Sequence, residues 1–414
     1  MSPGGMGRVC VHGLGRIGLP TAALLARHGH RVTGCDTDPA VAAAVNRGEA
    51  PFREEGLAEL LAEAVRTGRL HAQSRAAEAE CHILAVPTPC GAGRRPDLAC
   101  LDAATDALAP LLRPGDLVIL ESTVPVGATE TLAARLAAAR PDLPPPGTMG
   151  GIALAHCPER VLPGRMLAEL VGNDRIIGGL TPRCARRALA FYQGFVTGNC
   201  HLTDSRTAEF AKLAENTFRD VNIAFANELA LLAEGLGVDA WEAIGLANRH
   251  PRVEILRPGP GVGGHCIAVD PWFLAHAAPD SAALIRAARA VNDARPGQVV
   301  HRLLTMAEAF PTPVLACFGL AYKPEVDDLR NSPALEIVAS LARYPGLRLL
   351  VVEPYLDALP PPLRGLPNLA LTEAAAALEQ ADILAFLVGH GAFRALVRQG
   401  LPAKPVLDAV GLLR

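Results

Sequence analysis

Over the first 120 residues, short unbroken apolar runs alternate with longer stretches in which apolar positions recur at helical spacing. RVCVHGL (8–14), RVTGCD (31–36), CHILAVPT (81–88) and DLVILEST (116–123) have the length and content of buried strands, and LPTAALLARHG, PAVAAAVNRG and DLACLDAATDALAPLL that of helices. Such alternation predicts a parallel sheet covered on both faces. A Pro-rich break precedes two more strand candidates, GIALAHC and RIIGG. From Ser205 the texture changes: about thirty residues without Pro or internal Gly, ending at Gly235 and Gly237, predict one long helix. A helix of that length cannot bury its apolar surface in one small layer, so it should bridge two domains or form a subunit interface. A Gly/Pro-rich loop, RPGPGVGGHC, and a helix around Ser281 to Asn292 follow. Strand and helix alternation returns near Pro313 with VLACFGLAY, LEIVASLARY, LRLLVVEP, DILAFLVGH and VLDAVGLL. The pattern predicts an α/β protein: two Rossmann-like parallel-sheet domains joined by a long central helix and a helical region, divided as 1–204, 205–300 and 301–414.

Charge narrows the partners. With 39 basic and 42 acidic residues the chain has no basic excess for a phosphate backbone, so nucleic acid is not expected. No apolar stretch reaches membrane-spanning length, and the start lacks the features of a secretory signal, so a cytoplasmic protein with no membrane association is expected. Ten scattered cysteines include no CxxC and no ligand-spaced cluster, which predicts mostly buried, reduced thiols and no metal. Only Lys212, Lys323 and Lys404 are lysines among the 39 basic residues. Each therefore stands where arginine is the usual choice.

The first strand runs into Gly13-Leu-Gly15-Arg-Ile-Gly18, a helix, a second strand and then Asp36. Gly13 permits the tight turn, Gly15 lets a pyrophosphate approach backbone N–H groups, and Gly18 lets helix pack on strand. Asp36 can accept hydrogen bonds from a ribose diol and would repel a 2′-phosphate, which favours NAD over NADP. Thr88 and Thr123 lie just past the carboxyl ends of two later strands, either as cofactor contacts or as ordinary turn threonines.

Lys212, Asn216 and Arg219 fall on one face of the predicted long helix, flanked by Phe210, Leu213 and Phe218, which should leave it mostly enclosed. A lysine there can act as proton acceptor or compact cation, roles arginine fills poorly. Cys266 closes Gly261-Val-Gly-Gly-His-Cys, a loop of small residues that would leave a thiol accessible; Asp270 lies four residues on, followed by Pro-Trp-Phe. Nicotinamide plus cysteine suggests a particular chemistry. An aldehyde yields a second hydride only after a nucleophile makes an sp3 adduct, and the resulting thioester is released by water. Four electrons move in total.

Six blocks in order, AVPTP, ESTVPVGAT, HCPERVLPGR, EFAKLAENTFRDVNIAFANELA, GPGVGGHCIAVDPWF and GLAYKPEVDDLRNSPALEI, closely resemble the nucleotide-sugar 6-dehydrogenases of the UDP-glucose and GDP-mannose dehydrogenase superfamily. The resemblance implies an N-terminal NAD-binding domain, a long helix at a dimer interface and a C-terminal domain for the nucleotide of a UDP-sugar. It implies Cys266 as nucleophile, Lys212 as the group that takes the proton or steadies an oxyanion, and Asn216 as its partner. Asp270 matches an acid acting through water, Glu159 a carboxylate implicated in thioester hydrolysis, and Thr123 a nearby hydroxyl. Arg16, Ile17, Asp36, Thr88 and Thr123 match cofactor positions; Arg16 stands where an aromatic is usual. Arg160, Val161, Lys212, Asn216, Arg219, Gly263, Tyr322, Lys323 and Arg330 match sugar-nucleotide positions, where cations suit a diphosphate. NRHPRVEILRPGPGVGGHCIAVDPWF most resembles the branch acting on UDP-N-acetyl-D-mannosamine, which would place His250 and Arg252 at the substrate across a homodimer interface. The alternatives are the same oxidation of UDP-GlcNAc or UDP-glucose, a two-electron β-hydroxyacid dehydrogenase, and a silent NAD- or UDP-sugar-binding protein.

Overall fold

Eight strands build the first sheet: β1 (Arg8–His12), β2 (Arg31–Cys35), β3 (Leu70–Gln73), β4 (Cys81–Leu84), β5 (Leu117–Leu120), β6 (Ala153–His156), β7 (Arg175–Gly179) and β8 (Cys200–Asp204). The computed structural model describes residues 7–414. It divides into one compact unit running to Glu215 with Trp272–Ala277 and a second made of Asn216–Pro271 with Ala278–Arg414.

The first sheet has the order β3-β2-β1-β4-β5-β6-β7-β8. Its direction of growth reverses between β1 and β4, and the carboxyl ends of strands at such a switch point form a ligand crevice. Both faces are buried, as the unbroken apolar runs require: Val9, Val11 and Ile83 pack with Leu19, Leu25 and Leu61, and Leu84, Val118 and Leu120 with Leu101, Leu108 and Leu132. The expected all-parallel sheet needs one correction, because β6 and β7 pair antiparallel. The chain between them forms only the seven-residue helix Met166–Gly172, short of a full crossover, and re-enters the sheet from the end where β6 leaves it.

The long helix runs from Ser205 to Leu236, started by Asp204, whose carboxylate accepts from the Thr207 N–H at 2.9 Å and the Thr207 hydroxyl at 2.7 Å. Its Glu209 reaches sideways to a second helix terminus. Helix Ala128–Ala139 starts at Gly127, which has no capping side chain; Glu209 accepts instead from the N–H groups of Gly127 (2.6 Å) and Thr129 (2.8 Å) and from the Thr129 hydroxyl (2.5 Å). A carboxylate there satisfies orphan donors and complements the helix dipole.

The second unit holds β9 (Val314–Phe318), β10 (Arg348–Val352), β11 (Leu369–Leu371), β12 (Ile383–Phe386) and β13 (Val406–Asp408), all parallel, in the order β11-β10-β9-β12-β13. Its other long helix spans Ala283–Ala307, well beyond the expected end at Asn292, despite Pro296. Burial of Val299, Val300, Leu303 and Ala307 in the second core outweighs the hydrogen bond that proline removes. Among the described residues no helix is long and apolar enough to cross a membrane.

Candidate active site

The glycine turn after β1 divides its three glycines between two tasks. A Cβ on Gly13 (φ +89°) would lie 2.6 Å from the Ala85 carbonyl oxygen, and one on Gly18 would lie 1.9 Å from that of Gly13. Those two positions are closed by the protein's own backbone. A Cβ on Gly15 would meet nothing within 4 Å, so this glycine leaves open, exposed backbone at the start of helix Gly18–Arg27. Ile17, which precedes that helix, offers no side-chain cap, and first-turn N–H groups suit a pyrophosphate. Asp36 accepts from the N–H of Leu14 (2.9 Å) and of Asp38 (3.0 Å), which fixes its carboxylate beside the turn. The guanidinium of Arg16 lies over the Phe52 ring, 5.3 Å from its centroid, so this residue takes up an aromatic contact from the cationic side. Across the switch point the Thr88 hydroxyl donates to the Thr123 carbonyl at 2.6 Å, tying the β4 and β5 loops together. Glycines, acid and uncapped helix fit a dinucleotide.

Further along the same unit, Lys212 is 9% exposed and Glu159 is 8% exposed. The Glu159 carboxylate accepts from the N–H of Arg160 at 2.6 Å and from the Arg175 guanidinium at 3.4 Å. Arg160 in turn pairs with Glu215 at 2.7 Å, and Val161 packs against the core. Buried His156, at the end of β6, is held near pKa 3 by burial, with the charge of Lys212 lowering it further. Lys212 therefore has a neutral neighbour there.

In the second unit the thiol loop is clamped from several sides. Cβ atoms on Gly263 would fall 2.7 Å from the Asn331 carbonyl and the Pro333 ring, and on Gly264 (φ +79°) 2.9 Å from the Tyr322 ring. The Gly264 N–H donates to the Arg330 carbonyl at 3.1 Å and its carbonyl accepts from the Asn331 side chain at 3.1 Å. Cys266 is exposed, and its carbonyl accepts from the N–H groups of Val269 and Asp270, so thiol and acid stand one turn apart. Asp270 is buried and accepts from the Asn216 amide at 2.5 Å. Arg330 is held by Asp328 at 2.6 Å; that bond raises its pKa, with Tyr322 and Cys266 adding to the rise, which places a guanidinium within electrostatic range of the thiol. Upstream of the loop, Asn227 accepts from the Gly259 N–H at 2.8 Å and donates to Asn292, which together with Arg289 bonds Asp220. This buried network moors the loop to the second half of the long helix.

Beside Tyr322 and Lys323 lies a cavity of about 210 Å³, lined also by Arg257, Gly261, Val388 and Arg394. Three cations facing one cavity suit a diphosphate. Arg257 and Arg394 were not singled out from the sequence; Arg257 directly precedes the PGPG run, and Arg394 lies in an ordinary amphipathic helix with no local signal.

Three family models match the chain in order: the NAD binding domain of the UDP-glucose/GDP-mannose dehydrogenase family over residues 7–196, its central domain over 206–294 and its UDP binding domain over 316–414. The chain belongs to the UDP-glucose/GDP-mannose dehydrogenase family. It is 52% identical to an NDP-N-acetyl-D-galactosaminuronic acid dehydrogenase of Ralstonia nicotianae over 98% of this chain and 96% of the relative. It is 49% identical to a UDP-N-acetyl-D-mannosamine dehydrogenase of Salmonella typhi over 98% and 99% respectively. A solved UDP-D-ManNAc dehydrogenase from Pyrococcus horikoshii superposes with a TM-score of 0.86 at 37% identity, over 98% of this chain and 96% of that one. The protein is thus an NAD-dependent UDP-sugar dehydrogenase, an oxidoreductase with NAD as cofactor.

Within this UDP-sugar dehydrogenase several expected details are corrected. Leu213 is buried, but Phe210 and Phe218 are 54% and 65% exposed, so they do not enclose Lys212. Arg219 is exposed, unlike Lys212 and Asn216, although the three share one face of the helix. His250 and Arg252 are exposed, linked by an Arg252 N–H bond to the imidazole at 3.3 Å. Five cysteines are buried rather than most, with Cys35, Cys90 and Cys200 half-buried and Cys100 and Cys266 exposed.

Proposed function

We propose that the chain oxidises the C6 alcohol of UDP-N-acetyl-D-mannosamine to the uronate in two two-electron steps. The observation that carries this reading is the exposed Cys266 on its clamped glycine loop, one turn before a buried Asp270 that holds Asn216. NAD supplies the hydride acceptor for both oxidations. Lys212 takes the proton from the C6 hydroxyl, and Asn216, oriented by Asp270, donates to the oxygen as charge develops on it; one such donor contributes about 3–4 kcal/mol to the barrier. The Cys266 sulfur adds to the aldehyde carbon, and the adduct's oxidation leaves a thioester. Glu159, assisted by the Thr123 hydroxyl, activates the water that releases carboxylate and thiol. Overall, alcohol, two NAD and water give carboxylate, two NADH and three protons.

Sugar-nucleotide binding falls to Arg160, Val161, Arg219, Gly263, Tyr322, Lys323 and Arg330, and cofactor binding to Gly13, Gly15, Arg16, Ile17, Gly18, Asp36, Thr88 and Thr123. In this reading 1–204 binds NAD, 205–300 carries catalysis and dimerisation, and 301–414 binds UDP. Phe210, Phe218, Phe225, Leu232 and Leu236 of the long helix are 51–75% exposed at spacings of eight, seven, seven and four, which places them on one face. An apolar stripe of that kind supports a homodimer, with His250 and Arg252 reaching the partner's substrate. A galacto-configured 2-acetamido sugar is the second reading, favoured by the 52% identical relative. Purified protein offered NAD with each UDP-sugar decides between them. NADH formation on UDP-N-acetyl-D-mannosamine alone supports the first; turnover confined to UDP-GalNAc, UDP-GlcNAc or UDP-glucose rejects it.

A further inference from the structure

We infer that Glu121 and Arg175 are a buried positioning pair for Glu159 and give the release of the sugar from Cys266 its pH dependence. The inference rests on the hydrolytic role proposed above for Glu159.

Arg175, on β7, is 5% exposed and stands between two carboxylates: its Nη1 lies 3.8 Å from Glu121, just past β5, and its Nη2 lies 3.4 Å from Glu159, just past β6. The Tyr192 ring lies under the guanidinium, 4.4 Å from its centroid, and the Tyr192 hydroxyl donates to Glu121 Oε1 at 2.7 Å. One cation thus serves two acids away from water. With both acids ionised the cluster carries a net negative charge in a low dielectric, which is costly, so a proton settles on one of them. The hydrogen bonds decide which. Glu159 receives the Arg160 N–H in addition to Arg175, whereas Glu121 Oε2 is buried without a partner. Glu121 is accordingly the acid that takes the proton. Burial lifts its pKa to about 7, the charge of Glu159 adding to the rise and Arg175 and Tyr192 opposing it. The other ionisable groups facing this cluster are the thiols of Cys157, Cys81 and Cys200, all pushed up by burial, with Arg187 and Asp116 acting on Cys81. None of these thiols competes for the proton near neutrality.

The consequence is directional. Below pH 7 Glu121 is neutral and Arg175 is committed to Glu159. As Glu121 ionises it competes for the guanidinium, which loosens the hold on Glu159, and water attack on the Cys266 thioester speeds up. Arg175 and the Arg160 N–H meanwhile grip the two oxygens of Glu159 separately, which fixes the carboxylate's orientation. Both members act through Glu159 and not on the substrate.

The test uses full-length protein in single-turnover and steady-state assays with NAD and the UDP-sugar that it turns over. Intact mass after acid quench reads the sugar–Cys266 adduct. Wild type is expected to show a deacylation rate that rises through an inflection near pH 7. Glu121→Gln keeps the initial NADH burst and abolishes that inflection. Arg175→Met accumulates the adduct and lowers steady-state turnover roughly 10- to 100-fold, with Arg175→Lys recovering part of it. Glu159→Gln must also accumulate adduct; failure there sinks both the role of Glu159 and this inference. If Glu159→Gln accumulates adduct while Glu121→Gln retains the wild-type inflection, or Arg175→Met only lowers the melting temperature without trapping adduct, the positioning pair alone is overturned. Glu121→Gln is isosteric and decides the matter even if Arg175→Met does not fold.

Discussion

At the residue scale, one of the three lysines of an arginine-rich chain shows in its contacts why it is lysine. Lys404 is half-buried and donates to the carbonyls of Leu378 (2.7 Å), Glu379 (2.8 Å) and Ala381 (2.6 Å). These are the orphan acceptors at the end of helix Ala374–Gln380, and an ammonium has three donors for three carbonyls. Lys404→Met should lower stability by about 1–2 kcal/mol in a denaturant melt, with turnover unchanged. Lys212 is a different case, buried in the long helix and proposed above to take a proton. Lys212→Arg should cost about 10²-fold or more in kcat with the fold intact by circular dichroism; near-normal kcat would contradict that role. Lys212 and Cys266 could be singled out as candidates because their local context is unusual, a lone amine in a long helix and a thiol closing a glycine loop. Lys404 was not, because its partners lie more than twenty residues upstream. Glu121 and Arg175 escaped for the same reason, their meaning arising only when β5, β6 and β7 align.

At the scale of elements, the two sheets use one device twice. Asp36, after β2, accepts from the Leu14 N–H in the turn that follows β1. Glu353, after β10, accepts from the N–H groups of Leu320 (2.7 Å) and Ala321 (3.1 Å) in the turn that follows β9. An acid at the end of the second strand thus rigidifies each turn, and in the second unit that turn leads straight into Tyr322 and Lys323. In the first unit the glycines separate folding from binding. Gly18→Ala should unfold the first unit or cost several kcal/mol, since its Cβ would meet backbone 1.9 Å away, whereas Gly15→Ala should fold normally and raise the KM for NAD. Thermal melts and NAD titrations of the two variants distinguish these outcomes. The strands buried on both faces could be read from continuous apolar runs. β3 (LHAQ) and β11 (LAL), at the two sheet edges, and β8 (CHLTD), at the other edge of the first sheet, could not, because edge strands satisfy one ladder with a short, mixed sequence.

For the whole molecule, the residues proposed for catalysis fall in sequence on both units: Thr123, Glu159 and Lys212 belong to the first and Asn216, Cys266 and Asp270 to the second, and the long helix carries both Lys212 and Asn216. Stability should fall on the acid side of neutrality. Burial holds His12 near pKa 3, His82 near 4 and His156 near 3, so the folded state binds fewer protons than the unfolded chain. Their contribution is present above about pH 6.5 and lost as pH falls towards 4, about 1 kcal/mol per histidine already at one unit below 6.5. Glu121 works in the opposite sense, its raised pKa giving a contribution that is full below about pH 4.5 and lost as pH rises through about 7. Melting temperature should therefore fall as pH drops below about 6.5, with Glu121 offsetting part of that loss, and this acid limb should flatten in a His82→Phe variant. The exposed Phe and Leu stripe of the long helix predicts a dimer by analytical ultracentrifugation that Phe218→Asp weakens. The four-electron chemistry at Cys266 is tested most directly by stoichiometry: NADH formed per UDP-sugar consumed, with the product identified by mass spectrometry. Two NADH per uronate in the wild type, with uronate formation lost in Cys266→Ser, is the predicted result; one NADH per sugar, or a Cys266→Ser variant that still makes uronate at the full rate, would contradict it.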